Sequence, residues 1–228
     1  MTDSVTGEPL GTSPGGVPLL LHVQDRTVVG VGAGPVAAGK LLPLLAQGAM
    51  LRVIAPVADD PIKSAAADQL LQWERRGYQG PQDLADAVLV VAATNRHDVN
   101  AEVAADAATL GVPCVRVDGH GSADFMGAVR RGPLTFAVST SGASPALSAR
   151  LREELDDAYG PEWGELAVLL GELRQDPDVQ AALEQLPPGE RHLKWRFILD
   201  TNILTLLRTG QALAAREVAK NCLFSSSD

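Results

Sequence analysis

Residues Thr27-Val28-Val29-Gly30-Val31-Gly32-Ala33-Gly34-Pro35-Val36-Ala37 join a β-branched run to a glycine-rich turn and then to an Ala- and Leu-rich stretch. Thr27–Val31 reads as a strand, and the stretch from about Pro35 to Gln47 reads as a helix. The turn between them has the form G-x-G-x-x-A. In that form Gly32 permits the tight turn, Gly34 lets a pyrophosphate approach a backbone that has no Cβ in the way, and Ala37 keeps the helix close to the sheet. Ala33, Pro35 and Val36 complete a turn whose first helical N–H groups and helix dipole favour an anion. The pattern is weak by itself, but the strand before it and the helix after it are what the mechanism requires.

Working outward, Met50–Ile54 reads as a second strand, ended by Ala55-Pro56. Pro61–Leu71 reads as a helix and Gln72–Arg75 as a third strand. Val88–Ala93 is a continuous apolar strand of the kind that parallel sheets bury on both faces. The next helix is expected to carry Val99, Val103, Ala107 and Leu110 on one face, with Asn95 as its N-cap. Strands alternating with helices predict an α/β fold with a Rossmann-type parallel sheet. After Gly111 the rhythm shortens to three expected strands, Cys114–Val117, Asp124–Val129 and Leu134–Ser139, with a hairpin-like turn at Arg130-Arg131-Gly132-Pro133. Ser144-Pro145 is an N-cap followed by a first-turn proline, and Leu147, Leu151 and Leu155 run down one side of the helix it opens. From Pro161 the chain reads as helical. The expected organisation is a flexible tail at 1–16, a dinucleotide-binding domain at 17–113, a small β-plus-helix dimerisation and active-site segment at 114–150, and a helical domain at 151–228.

Composition removes several function classes. The 228 residues are 46% hydrophobic but only 4% aromatic, so the core is built of Ala, Val and Leu. A formal charge of −9 argues against nucleic acid, which needs a basic face. Cys114 and Cys222 make neither a disulfide framework nor a metal cluster, and they read as buried reduced thiols of a cytoplasmic protein. No apolar run is long enough to cross a bilayer, and residues 1–16 lack the basic start and apolar stretch of a signal peptide. The cofactor reading leans to NAD, because no arginine stands at the end of the second strand to grip a 2′-phosphate. The usual ribose-binding carboxylate is missing there too, the nearest being Asp59 and Asp60. Ala55 and Pro56, together with Ala93-Thr94-Asn95 after the fourth strand, are expected to line the cofactor at the carboxyl edge of the sheet.

With these segments in place, the chain resembles the precorrin-2 dehydrogenase/sirohydrochlorin ferrochelatase family, the N-terminal half of sirohaem synthases. The resemblance rests on Val31–Ala37 with Lys40, on Ala92-Ala93-Thr94-Asn95 with Asn100, on Val117-Asp118, Asp124-Phe125 and Gly132-Pro133-Leu134, and on Val138–Leu147 followed by Arg150. These pieces occur in family order over roughly residues 17–155. The resemblance implies NAD-dependent oxidation of precorrin-2 to sirohydrochlorin. Some members also insert ferrous iron, which makes Fe(II) a further implied substrate. The methyltransferase often fused to such enzymes is expected to be a separate protein. The family's key aspartate falls on Asp118, the implied catalytic group. Ser139, Thr140, Ser141 and Ser144, with Arg150, are the implied partners of the substrate's carboxylates, and the family precedent is a homodimer.

Three stretches depart from the family pattern, namely Val115, Gly119-His120-Gly121 and Thr140. They cluster at the expected tetrapyrrole site, so a non-catalytic NAD-sensing or tetrapyrrole-binding module stands as the alternative. His120 reads as a polar loop residue. His22, His97 and His192 have no ligand spacing with one another and receive no role, and no metal-ligating set is expected.

Overall fold

The computed structural model describes residues 16–224. The tail expected at 1–16 therefore lies outside the described residues, apart from Gly16. The chain divides into two compact units, Met1–Phe125 and Met126–Asp228.

In the N-terminal unit, β1 (Thr27–Val31), β2 (Met50–Ile54), β3 (Leu71–Glu74), β4 (Ala87–Ala92) and β5 (Cys114–Arg116) form one parallel sheet in the order β3-β2-β1-β4-β5. The connecting helices are α1 (Pro35–Leu45), α2 (Asp60–Ala67) and α3 (His97–Thr109), with a 3₁₀ turn at Pro81–Leu84 before β4. Alternation along the central strand feeds two cores. Val28 packs with Leu41, Val53, Ile62 and Val91, whereas Val29 and Val31 pack with Val90, Val103, Ala107 and Cys114. Each such valine, leucine or isoleucine, fully buried, stabilises the unit by about 1.5–3 kcal/mol. Apolar residues on both faces are what turn β1 and β4 into nearly unbroken hydrophobic runs.

The structure corrects several sequence-based boundaries. Leu71 is the first residue of β3, paired with Leu51, and not the end of a helix. α2 stops at Ala67 and the chain reverses at Gln69 (φ 59°), so pairing with β2 overrides the Ala-rich helical continuity. Leu110 is 47% exposed and lies past the end of α3, whose buried face is Asn100, Val103 and Ala107. Asn95 is not the N-cap. Arg96 holds that position, and the Thr94 hydroxyl, in place of a cap side chain, accepts from the Arg96 N–H (3.1 Å). Asp124 and Phe125 precede the next strand, and Phe125 packs on the sheet core with the Lys40 ammonium 5.6 Å from its ring centre.

The C-terminal unit opens with an antiparallel hairpin, β6 (Gly127–Arg131) and β7 (Leu134–Val138). Arg131 pairs with Leu134, leaving Gly132-Pro133 as a two-residue turn with Gly132 at φ 54°. Helices α4 (Pro145–Ala158), α5 (Pro161–Gln175), α6 (Pro177–Glu184) and α7 (Pro188–Leu199) each start on a proline, whose fixed φ and missing N–H suit a first turn. They are followed by α8 (Ile203–Arg208) and α9 (Ala212–Phe224). Leu173, Val179, Ile198, Ile203, Ala219 and Leu223 centre the helical core. α4 is the exception: it buries no residue, and Leu147 and Leu151 on its apolar stripe are 49% and 37% exposed. Among the described residues no helix is long and apolar enough to cross a membrane.

Candidate active site

The two glycines of the turn are needed for different reasons. Gly32 has φ 106°, and a Cβ there would lie 2.3 Å from the Ala93 carbonyl oxygen and 2.9 Å from the Thr94 nitrogen. The fold itself therefore demands glycine. Gly34 is extended (φ −80°), and a Cβ there would meet nothing within 4 Å. The space over Gly34 belongs to whatever approaches the turn. Ala37 is fully buried under the sheet, as the motif requires. Gly30 also keeps α1 close, since a Cβ on it would lie 2.4 Å from Leu41 Cδ1.

The remaining cofactor candidates stand at the carboxyl ends of β1, β2 and β4. Ala33 is buried and its carbonyl accepts from the Asp59 N–H (2.9 Å), which brings the N-cap residue of α2 beside the turn. Ala55 is buried and accepts from Trp73 Nε1 (2.9 Å); Pro56 is exposed. The Ala93 N–H donates to Val31 (2.8 Å), while Asn95 is exposed. Strand order reverses between β1 and β4, and open α/β sheets bind ligands at the carboxyl ends of such a pair. The open cradle at Gly34, the exposed Val36 and the first-turn N–H groups of α1 fit a dinucleotide pyrophosphate.

One strand further along the same edge is a polar cluster built by β5 and α3. Alternation along β5 puts Arg116, and Asp118 beyond it, on the face that Cys114 shares with the buried side of α3. His97 and Asn100, three residues apart in the first turn of α3, share one face of that helix. Asp118 Oδ1 receives Arg116 Nε at 3.2 Å, Oδ2 lies 2.6 Å from His97 Nδ1, and Asn100 also donates to the carboxylate. Asn100 is fully buried, accepting from the Thr94 N–H (3.0 Å) and hydroxyl (2.7 Å) and donating to the Thr94 carbonyl (3.1 Å). The Asp118 side chain is only 9% exposed. Burial alone would raise its pKa, but the hydrogen bonds from Arg116, Asn100 and His97 outweigh it and hold the carboxyl at about 2.

The loop after Asp118 folds back along β5. Ala123 N–H donates to the Cys114 carbonyl (3.1 Å) and Cys114 N–H to Ser122 Oγ (2.9 Å). A Cβ on Gly121 would lie 2.1 Å from that carbonyl oxygen, so this departure from the family pattern is a close backbone approach. Val115 packs in the sheet core, and His120 is exposed.

In the C-terminal unit, the loop between β7 and α4 is held by its own side chains. Ser144 Oγ caps α4 by accepting from Leu147 N–H (3.2 Å). Thr140 Oγ1 accepts from Ser144 N–H (3.1 Å) and lies 3.1 Å from Ser148 Oγ. Ser139 Oγ accepts from Ser141 N–H (3.1 Å), and Ser141 and Gly142 both take positive φ (50° and 81°). Arg150 is exposed and donates to Glu154 (2.9 Å). Cys114 and Cys222 are buried, outside any disulfide, and burial pushes up the pKa of each thiol. Among the described residues no three or more His, Cys, Asp or Glu side chains gather as a metal would need.

The sequence reading missed His97 because a histidine at a helix start has no chemical signal until its partner is known. The signal available was its three-residue spacing from Asn100.

Comparison with known proteins finds matches along most of the chain. A family model described as NAD(P)-binding matches residues 19–128, and one described as sirohaem biosynthesis protein central matches residues 131–158. The sirohaem synthase of Nitrosospira multiformis is 34% identical over 209 residues, covering 88% of this chain and 43% of that protein. That of Pseudomonas putida is 38% identical over 209 residues, covering 89% and 43%. The chain thus spans less than half the length of these curated relatives. The solved structure of SirC, a precorrin-2 dehydrogenase, superposes with a TM-score of 0.67 over 90% of this chain and 99% of that one, at 24% identity, and so shares the fold.

Proposed function

We propose, for a chain that belongs to the precorrin-2 dehydrogenase/sirohydrochlorin ferrochelatase family, that it oxidises precorrin-2 to sirohydrochlorin with a nicotinamide dinucleotide as hydride acceptor. The observation that carries this reading is the shared sheet edge. The Gly32–Gly34 turn ends β1, and the buried, ionised Asp118 follows β5 on the same carboxyl side. Gly32, Ala33, Gly34, Pro35 and Val36 hold the pyrophosphate, with Ala55, Pro56, Ala93, Thr94 and Asn95 along the rest of the dinucleotide. The bound nicotinamide supplies the two-electron acceptor. The cofactor is NAD and not NADP: no arginine stands at the end of β2 to grip a 2′-phosphate, and the nearest acidic residue there is Asp59, whose N–H donates to the Ala33 carbonyl beside the turn.

Asp118 is the carboxylate on which proton removal depends. Ser139, Thr140, Ser141 and Ser144 form, with Arg150, the donor set for the substrate's carboxylates; Thr140 and Ser144 also fix the loop that presents the others. The protein works as a cytoplasmic homodimer. The exposed α4 stripe and the open edges of the β6–β7 hairpin support the dimer, since both leave surface that a second copy covers. Leu151→Glu is expected to yield monomers by light scattering at micromolar concentration with an unchanged unfolding temperature. A wild-type monomer removes the dimer from this reading.

The test is anaerobic mixing of the protein with enzymatically generated precorrin-2 and NAD, followed by absorbance, with Fe(II) added afterwards. NADH formation with a sirohydrochlorin spectrum is expected, and a sirohaem spectrum after iron would add chelation. NAD binding without turnover would instead make this the non-catalytic module.

A further inference from the structure

We infer that His97 is the group that takes the proton from the substrate, and that Asp118 acts through it as a positioning residue; the inference rests on the dehydrogenase reading above. Each Asp118 oxygen is already engaged, by Arg116 Nε and by His97 Nδ1, with Asn100 as a third donor, and the side chain is 9% exposed. A carboxylate so enclosed, and so weakly basic, is a poor direct proton acceptor for a large planar substrate. His97 is the opposite: its side chain is 82% exposed, with one ring nitrogen on Asp118.

The tautomer follows from the chemistry of the pair. An ionised carboxylate only accepts hydrogen bonds, so the neutral imidazole carries its proton on Nδ1 and leaves the Nε2 lone pair free to accept another. Beside His97 in the chain, Arg96 at the N-cap of α3 pairs with Asp98, and Arg116 on β5 pairs with the same Asp118 that meets the ring. Asn100, locked by Thr94, sets the position of Asp118, and Asp118 sets the ring.

The step balances without a further reagent. Conversion of precorrin-2 to sirohydrochlorin removes two hydrogens: one leaves a C–H bond with its electron pair for the nicotinamide, and the other leaves as a proton. That proton forms the N–H bond at His97 Nε2, the N–H or C–H electron pair it leaves enters the macrocycle, and the imidazolium stays paired with Asp118 until it passes the proton to water.

The test combines a spectroscopic readout with kinetics. In the ligand-free protein, long-range proton–nitrogen NMR of the imidazoles, with the His97 signal assigned by its loss in His97→Asn, is expected to show a protonated Nδ1 and a bare Nε2. Asp118→Asn should abolish that preference. With NAD and precorrin-2, His97→Ala is expected to lose ~10²-fold or more of turnover while keeping NAD affinity, and added imidazole should restore part of it. His97→Asn keeps a donor toward Asp118 but has no base, and should be equally slow. Turnover of His97→Ala within twofold of wild type, failure of imidazole to rescue it, or an Nε2-protonated tautomer overturns the role of His97. Absence of wild-type turnover overturns the dehydrogenase reading itself, and this inference with it.

Discussion

The sheet edge at β4, α3 and β5 and the loop-and-helix at β7 and α4 are both rich in small polar residues, yet they are finished to different degrees. At the sheet edge, Asn100 is fully buried with every polar atom engaged, and Asp118 is enclosed by three donors. At α4 the hydroxyls of Thr140 and Ser144 are likewise used, but the apolar stripe of the helix is uncovered among the described residues: Leu147 and Leu151 are 49% and 37% exposed, and Arg150 is exposed and donates to Glu154. A buried polar group left unpaired is costly, so the first region must complete its network within the chain. Exposed leucines cost far less, and the second region can wait for another surface.

The largest expected effect comes from removing the centre of the first region. Asp118→Ala should lower turnover by about 10³-fold while NAD affinity, measured by titration, stays within a few-fold. Turnover near wild type would show that the edge is merely a structural network. Next is Gly32→Ala, where strain at φ 106° adds to a clash with the Ala93 carbonyl. A loss on the order of 3 kcal/mol in urea unfolding is expected.

Acid titration is the third probe. A carboxyl held near 2 against an ordinary 3.8 contributes stability that is complete above roughly pH 4 and is lost as pH falls through about 2. Stability should therefore decline more steeply below about pH 4 in wild type than in Asp118→Asn, by on the order of 1–2 kcal/mol across that window. Equal slopes would mean that the pairing contributes nothing in solution. The smallest effect on the fold is expected at Gly34→Ala, within about 0.5 kcal/mol, because a Cβ there meets nothing. The same variant should weaken NAD binding tenfold or more, and unchanged affinity would take Gly34 out of the cofactor cradle.

Much of the N-terminal unit is legible in the sequence, because its signals are local. The Thr27–Ala37 stretch carries strand, turn and helix within eleven residues, and β4 announces itself as an apolar run. Boundaries set by pairing are not legible: Leu71 turns from helix to strand only because Leu51 lies beside it. Leu110 has the spacing to continue an apolar face, but the chain turns at Gly111 (φ 69°) and leaves it outside. Asp118 is legible through a family resemblance, whereas His97 has no partner within reach along the sequence.

By itself, then, the sequence determined the α/β class, the place of the glycine-rich turn between strand and helix, and the aspartate as a candidate, since each depends on residues close together in the chain or on a motif read in order. Only the tertiary structure decided which of two glycines the fold needs and which leaves room for a ligand, because that depends on where the end of β4 passes. It alone brought His97 to Asp118, twenty-one positions apart in the chain, by laying the first turn of α3 over the end of β5. A hydrogen bond between such residues follows from packing, and packing is decided by which surfaces lose water together.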